Sequence, residues 1–249
     1  MYNDILQLMH FYGSPLGQLA RRVIDRQIAR IWPNLYGQRL LALGYAPPFM
    51  PALAKMAERS IIAMPATQGV AAWPEAERNL ATLVDETNLP FEDFSMDRVL
   101  AIHALEGAGD PAAMLQEIWR VMAGNGQLLL IVPNRMGLWA RFEHTPFGTG
   151  QPFSAGQLHW LLQQNLFTPL RLHRLLYTPP GRGKFWQAGS ESFEKFAPYV
   201  CRQFGGLLAI EARKEMYSAH PQRYRRIQPA LGLPVPGKYA GLSREKQNP

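Results

Sequence analysis

The sequence predicts an α/β fold built on a mainly parallel sheet, and three observations carry that reading. Short apolar runs alternate with helical patterns along most of the chain, as they do in βαβ units. The runs Asp97 to His103 (DRVLAIH) and Gln127 to Val132 (QLLLIV) are apolar enough for strands covered on both faces. The last two runs, Leu170 to Tyr177 and Gly206 to Arg213, follow at a spacing that allows an antiparallel pair at one edge. With 249 residues, 47% of them hydrophobic and 18% charged, the chain is long enough to bury a full core.

Taken in order, residues 16 to 31 read as a surface helix, with Leu16, Leu19, Val23, Ile24, Ile28 and Ile31 near one face. Gln38 to Gly44 is a first buried strand. Pro47 to Arg59 is a helix with prolines near its start. Ser60 to Met64 and Leu80 to Asp85 are the second and third strands, and Asp97 to His103 is the fourth. Pro111 to Met122 is a helix with proline in its first turn, and Asn125-Gly126 is a turn before the fifth strand. Ser154 caps a helix running through Leu166, and a further helix fills Glu191 to Phe204 between the last two strands. This divides the chain into a domain over residues 1–218 and a Pro/Gly-rich basic tail over 219–249.

Composition excludes several function classes. A single cysteine, Cys201, rules out an internal disulfide framework and any multi-cysteine metal site, so no metal is expected and a reducing cytoplasm is the simplest compartment. The N-terminus has Asp4 near its start and Arg21, Arg22, Asp25 and Arg26 among its apolar positions, unlike a signal peptide. No apolar run approaches the ~20 residues needed to span a bilayer. The net charge of +7 is uneven: residues 200–249 hold nine basic and three acidic residues, leaving the rest nearly neutral. Arg223, Tyr224, Arg225 and Arg226 in that tail suit either a nucleic-acid contact or an acidic protein partner.

The specific signal lies between residues 80 and 134. Asp85-Glu86-Thr87-Asn88-Leu89-Pro90-Phe91 leads into Met96-Asp97-Arg98-Val99, then His103-Ala104-Leu105-Glu106. Glu117-Ile118-Trp119-Arg120-Val121, Gly124-Asn125-Gly126 and Pro133-Asn134 complete the series. Six pieces in this order and spacing resemble the type 11 group of class I S-adenosylmethionine-dependent methyltransferases. The run Asn134 to Arg141 with Thr145-Pro146-Phe147-Gly148 is similar to a bacterial subgroup of that family. The resemblance implies a seven-stranded Rossmann-like sheet and S-adenosylmethionine as cofactor. It further implies that Asp85 lies near the adenine, that Leu89 and Phe91 wall the ring, and that His103 to Glu106 pass beneath the methionine part and face the substrate. Gly44, Tyr45, Gln68, Asp85, Glu86 and His103 are then the donor-binding candidates, with His103 also the candidate base. The loop after the fifth strand, with Asn134, Arg135, Trp139 and Arg141, is the candidate substrate side, where arginines among aromatics suit an anionic or planar molecule. Phe11-Tyr12 would form part of a lid over the cofactor or anchor the N-terminal helix.

The first motif departs from the family pattern. Where an acidic residue and a G-x-G-x-G loop belong, the sequence has Leu41-Ala42-Leu43-Gly44-Tyr45-Ala46-Pro47-Pro48, and only Gly44 survives. The second strand ends Ala63-Met64-Pro65-Ala66 without the carboxylate that would hold the ribose hydroxyls, and Gln68 stands nearby as a neutral substitute. Charge-assisted hydrogen bonds contribute roughly 1.5–3 kcal/mol each, so losing two weakens binding on the order of a hundredfold or more. Three readings stay open. The first is an enzyme transferring a methyl group to a small or medium substrate. The second is a catalytically silent fold acting as a binding or regulatory partner, for instance in a heterodimer, to which Asp85 would be dispensable. The third is nucleic-acid methylation guided by the tail.

Overall fold

The computed structural model describes residues 4–74, 78–180, Glu194 and 203–216. Asp4 caps a first helix, α1 (Ile5–Gly13), by accepting a hydrogen bond from the Leu6 amide at 2.8 Å. Ser14 serves both α1 and the next helix, α2 (Pro15–Ile31). Its hydroxyl donates to the Phe11 carbonyl at 2.6 Å and accepts from the Gly17 amide at 3.1 Å, with Pro15 where no helical N–H is missed. A Cβ on Gly17 would lie 1.9 Å from the Phe11 carbonyl oxygen, so the two helices turn this tightly only around glycine.

Seven strands form one sheet: β1 (Arg39–Gly44), β2 (Arg59–Pro65), β3 (Ala81–Val84), β4 (Met96–Ile102), β5 (Met122–Pro133), β6 (Phe167–Leu175) and β7 (Leu207–Lys214). Their order is β3-β2-β1-β4-β5-β7-β6. The first five are parallel to their neighbours, and β7 runs antiparallel between β5 and β6. Alternate side chains feed two cores. Leu40, Ala42, Leu100, Ile102, Leu129 and Ile131 meet α1, α2 and α3 (Met50–Met56). Leu41, Leu43, Val99, Ala101, Leu128 and Leu130 meet α4 (Pro111–Val121) and α5 (Ala155–Gln164). Each fully buried leucine or isoleucine contributes roughly 1.5–3 kcal/mol, so the central strands cannot shift register without loss on both faces.

Asp110 caps α4 through hydrogen bonds from the Ala112 and Ala113 amides, both 3.0 Å. At the other end of α4, Arg120 ties down the segment that leads from β3 to β4. Its guanidinium donates to the Leu89 carbonyl (2.8 Å) and the Phe91 carbonyl (2.9 Å) while pairing with Glu117 and Asp93. The E-x-x-R spacing of the sequence is therefore a clamp on the loop that carries Leu89 and Phe91.

Several elements differ in detail from the sequence expectation. α1 is an additional helix, set off from α2 by Ser14-Pro15. The helix expected over Pro47 to Arg59 is a short turn, Pro47–Phe49, followed by α3, because three prolines in thirteen residues limit it. Asn125-Gly126 lies within β5, which starts directly after α4 and shifts register against β4 between Met96 and Arg98. β6 begins at Phe167 after Leu166, whose φ is 61°, and carries Pro169 at a register shift, which an edge strand tolerates. The helix expected over Glu191 to Phe204 and the tail 219–249 fall, almost wholly and wholly, outside the described residues.

Lys214 ends β7 inside the core, its Nζ donating to the Met122 carbonyl at 2.6 Å and standing 4.0 Å from the ring centroids of both Phe94 and Trp119. Burial pulls this ammonium down to about 8 from an ordinary 10.5. Between about pH 8 and 10 the unfolded chain keeps a proton that the folded chain has released, so this residue makes stability rise with pH across that window. Lys214→Met is expected to flatten that rise in the urea midpoint measured against pH. An unchanged slope would show that Lys214 titrates normally.

Candidate functional site

Ligands of open α/β sheets bind beyond the carboxyl ends of the strands, where the strand order reverses. Here that point lies between β1 and β4, which are neighbours in the sheet but separated by two strands in the chain. Gly44 ends β1 with φ 90°, and a Cβ there would sit 2.2 Å from the Ile102 carbonyl oxygen and 2.9 Å from the Ala104 side chain. The close approach of the β1 and β4 ends accounts for this glycine. After β4, His103 takes φ 53°, a left-handed conformation costly for a residue with a Cβ.

Three polar side chains converge on His103. Gln68, after β2, donates its amide to the His103 carbonyl at 2.7 Å. Tyr12 of α1 meets His103 Nε2 at 2.7 Å through its hydroxyl. Glu106 brings Oε1 to 3.4 Å from His103 Nδ1. The group is sealed from water: His103 is 2% exposed, Gln68 3%, Glu106 6% and Tyr12 7%. The Glu106 carboxylate stands beside Nδ1, which has no hydrogen-bond partner, while Nε2 meets the Tyr12 hydroxyl. Burial pushes the Tyr12 phenol well above its ordinary range, and the negative charge of Glu106 adds to the effect.

Aromatic rings surround this cluster. Phe147 stacks on the His103 ring at 5.0 Å, Tyr45 stacks on Tyr12 at 5.9 Å, and Phe49 and Phe11 meet Tyr12 edge-on at 5.4 and 5.1 Å. Trp139 packs edge-on against Phe147 and Phe11 and donates its indole N–H to the Thr178 carbonyl at 2.8 Å. Within the polar group, the acceptors Gln68 Oε1 and Glu106 Oε2 and the ring nitrogen His103 Nδ1 are buried without a hydrogen-bond partner. Such atoms cost free energy unless a ligand or water completes them.

The structure thus brings Gly44, Tyr45, Gln68 and His103 to one place. Asp85 and Glu86 lie after β3, on the far side of β2 from β1. Asp85 is exposed, and its Oδ1 accepts from the Thr87 amide (2.9 Å) and hydroxyl (2.6 Å), which hold the carboxyl below its usual range. Glu86 is buried. Beyond β5, Asn134 is buried and its amide donates to the Gly205 carbonyl at 2.6 Å, fastening the loop to the approach of β7. Trp139 is wholly buried, whereas Arg135 and Arg141 are exposed and Arg135 reaches the Pro152 carbonyl at 3.1 Å. Tyr12 and Glu106 gain an importance that sequence reasoning did not give them. The signal for Tyr12 was Ser14-Pro15, which marks a helix boundary just after an aromatic pair.

The residues fit S-adenosylmethionine at β2, β3 and β4 and depart from it at β1. Gln68 Oε1 is an unpartnered acceptor shortly after β2, and Asp85 presents an exposed carboxylate after β3. The β1 loop offers no nest of amides: Pro47, Pro48 and Pro51 lack N–H groups, and Tyr45 and Ala46 are 5% and 0% exposed. A separate cavity of about 890 Å³ opens at the amino-terminal edge of the sheet, beside Arg39, Ser60 and Met96, away from the strand ends that bind ligands. Among the described residues no helix is long and apolar enough to cross a membrane. No group of three His, Cys, Asp or Glu is placed among them to hold a metal.

The strand order with one antiparallel strand inserted near the edge defines the class I methyltransferase fold. Residues 48–130 match the family model described as a methyltransferase domain, of type 11. A possible histamine N-methyltransferase from Thermotoga maritima is 16% identical, with 83% of this chain and 94% of that one covered at a TM-score of 0.58. A putative methyltransferase in complex with the Haloferax volcanii Trm112 activator is 17% identical, with 78% and 90% covered at 0.56. The [4+2]-cyclase SpnF is 22% identical, with 80% and 82% covered at 0.55. By sequence, the uncharacterized protein YafS of Escherichia coli is 28% identical over 116 residues, 47% of this chain and 44% of that protein, so the likeness spans less than half of either.

Tyr12→Phe is expected to lower stability by about 1–2 kcal/mol in urea denaturation, because it leaves His103 Nε2 buried without a donor. Gly44→Ala should cost more than about 2 kcal/mol, through its left-handed backbone and the contact with Ile102. The reverse ranking would show that the β1–β4 junction can relax.

Proposed function

We propose that the chain is an S-adenosylmethionine-dependent methyltransferase of a small or medium substrate, acting in a reducing cytoplasm, with its donor site rebuilt around Gln68. The observation that carries this reading is the sealed cluster of Gln68, His103 and Glu106 at the carboxyl ends of β1, β2 and β4, with two acceptors left unpartnered. Gln68 takes a ribose hydroxyl in place of the missing carboxylate. Asp85 accepts from the adenine amine, beside Glu86, and Gly44 and Tyr45 flank the methionine part. When bound, the donor supplies a methyl carbon activated by its sulfonium. His103, oriented by Glu106, accepts the proton that the acceptor loses, by way of Tyr12 or directly. Arg135 and Arg141 meet the substrate from a loop that Asn134 and Trp139 anchor. Transfer within such a site is largely a matter of orientation.

A second reading is supported by the burial of Tyr45 and Ala46 at the degenerate first motif: a silent fold that acts through a protein partner. The Trm112 complex of one structural relative gives that reading a precedent. A basic tail that guides nucleic-acid methylation is a third, and requires salt-dependent RNA or DNA binding that vanishes when residues 219–249 are deleted.

Titration calorimetry with S-adenosylmethionine and S-adenosylhomocysteine tests the first reading. Micromolar binding is expected, weakened on the order of tenfold by Asp85→Ala or Gln68→Met through loss of a hydrogen bond to the ligand. No heat up to millimolar ligand, together with an unchanged melting temperature, would overturn it in favour of a partner protein.

A further inference from the structure

The cluster around His103 also bears on what the enzyme methylates, an inference that rests on the donor reading above. Three buried atoms of the cluster lack a hydrogen-bond partner: His103 Nδ1, which stands beside Glu106, and the acceptors Gln68 Oε1 and Glu106 Oε2, which a ligand completes with N–H or O–H donors. Gln68 is matched by a ribose hydroxyl. Glu106 is left over, and it differs in kind, because it is an acidic side chain 6% exposed whose Oε1 faces only the imidazole of His103 at 3.4 Å. A buried carboxylate is stabilised far more by a cationic donor than by a neutral one.

The surroundings favour the same chemistry. Phe147 lies face to face with His103, and the neighbouring ring of Tyr12 is itself flanked by Tyr45, Phe49 and Phe11. Ring faces attract ammonium groups, more strongly once both are removed from water. An anionic acceptor would meet the Glu106 carboxylate, whose charge is already felt at the Tyr12 hydroxyl. We propose that the site selects an amine as methyl acceptor, its nitrogen docking on Glu106 Oε2 within the aromatic surround of Tyr12, His103 and Phe147. Glu106 is thereby the specificity-determining residue. The docked ammonium first gives one proton to His103 Nε2, which frees the nitrogen lone pair. As that lone pair forms the new bond to the methyl carbon, the electron pair of the broken carbon–sulfur bond stays on sulfur, and the product is the methylated ammonium.

Calorimetry on the full chain saturated with S-adenosylhomocysteine tests this with three probes of equal size: benzylamine, benzyl alcohol and benzoate. The amine is expected to bind on the order of tenfold more tightly than the alcohol, and benzoate most weakly, in line with one charge-assisted hydrogen bond. Glu106→Gln should bring amine and alcohol together, and Glu106→Asp should keep part of the preference, with melting temperatures confirming that both variants fold. Equal affinities in the wild-type chain, no heat from benzylamine at millimolar concentration, or a preference that survives Glu106→Gln would overturn the proposal. If S-adenosylhomocysteine itself fails to bind, the donor reading falls, and the amine preference is then measured on the ligand-free chain, so the two failures are separable.

Discussion

Everything at the site depends on how closely the ends of β1 and β4 approach each other. The two strands pair in parallel from Leu40–Arg98 to Gly44–Ile102, and both cores close over their middle residues. At the last pair the Gly44 backbone comes so near the Ile102 carbonyl that no Cβ fits between them. The chain after β1 must therefore turn away through Tyr45 and Ala46, and the chain after β4 must enter the left-handed conformation of His103. From that junction follow the stacking of Tyr45 on Tyr12, the hydrogen bond between Tyr12 and His103, and the place of Gln68 beneath the His103 carbonyl.

That geometry gives the eroded first motif a physical meaning. A glycine-rich loop binds a ligand by exposing amides at a helix N-terminus. Here prolines remove those amides, and α1 lays aromatic rings over the same strand ends. Polar side chains gather there instead, from the segments after β2 and β4. Side chains of this kind are buried at a cost that only hydrogen bonding offsets, which is why their unpartnered atoms are informative. The fold alone does not decide what chemistry results, since one structural relative is a [4+2]-cyclase.

Much of the framework was legible in the sequence. The alternation of apolar runs placed all seven strands, and the edge pair was expected from spacing. E-x-x-R-V reads as a helix-surface pair in sequence, and the structure adds that Arg120 also clamps the Leu89 and Phe91 carbonyls. α1 was not legible as a helix, because nine residues ending at Ser14-Pro15 carry too short a period to separate from a loop. The sequence does not single out Glu106 within the run His103 to Glu106, because a carboxylate three residues after a histidine closes a turn in many chains; its burial without a full set of partners sets it apart.

The sequence by itself determined the strand pattern, the type 11 framework between residues 80 and 134, and the loss of the glycine loop, because these follow from local periodicity and motif spacing. The tertiary structure alone decided that Tyr12, Gln68, His103 and Glu106 meet. They come from three segments spread over 95 positions of the chain, and no local pattern couples Tyr12, Gln68 and the loop after β4. They meet because the parallel sheet brings the ends of β1, β2 and β4 to one edge, and because α1 folds back over that edge to bury its aromatic face.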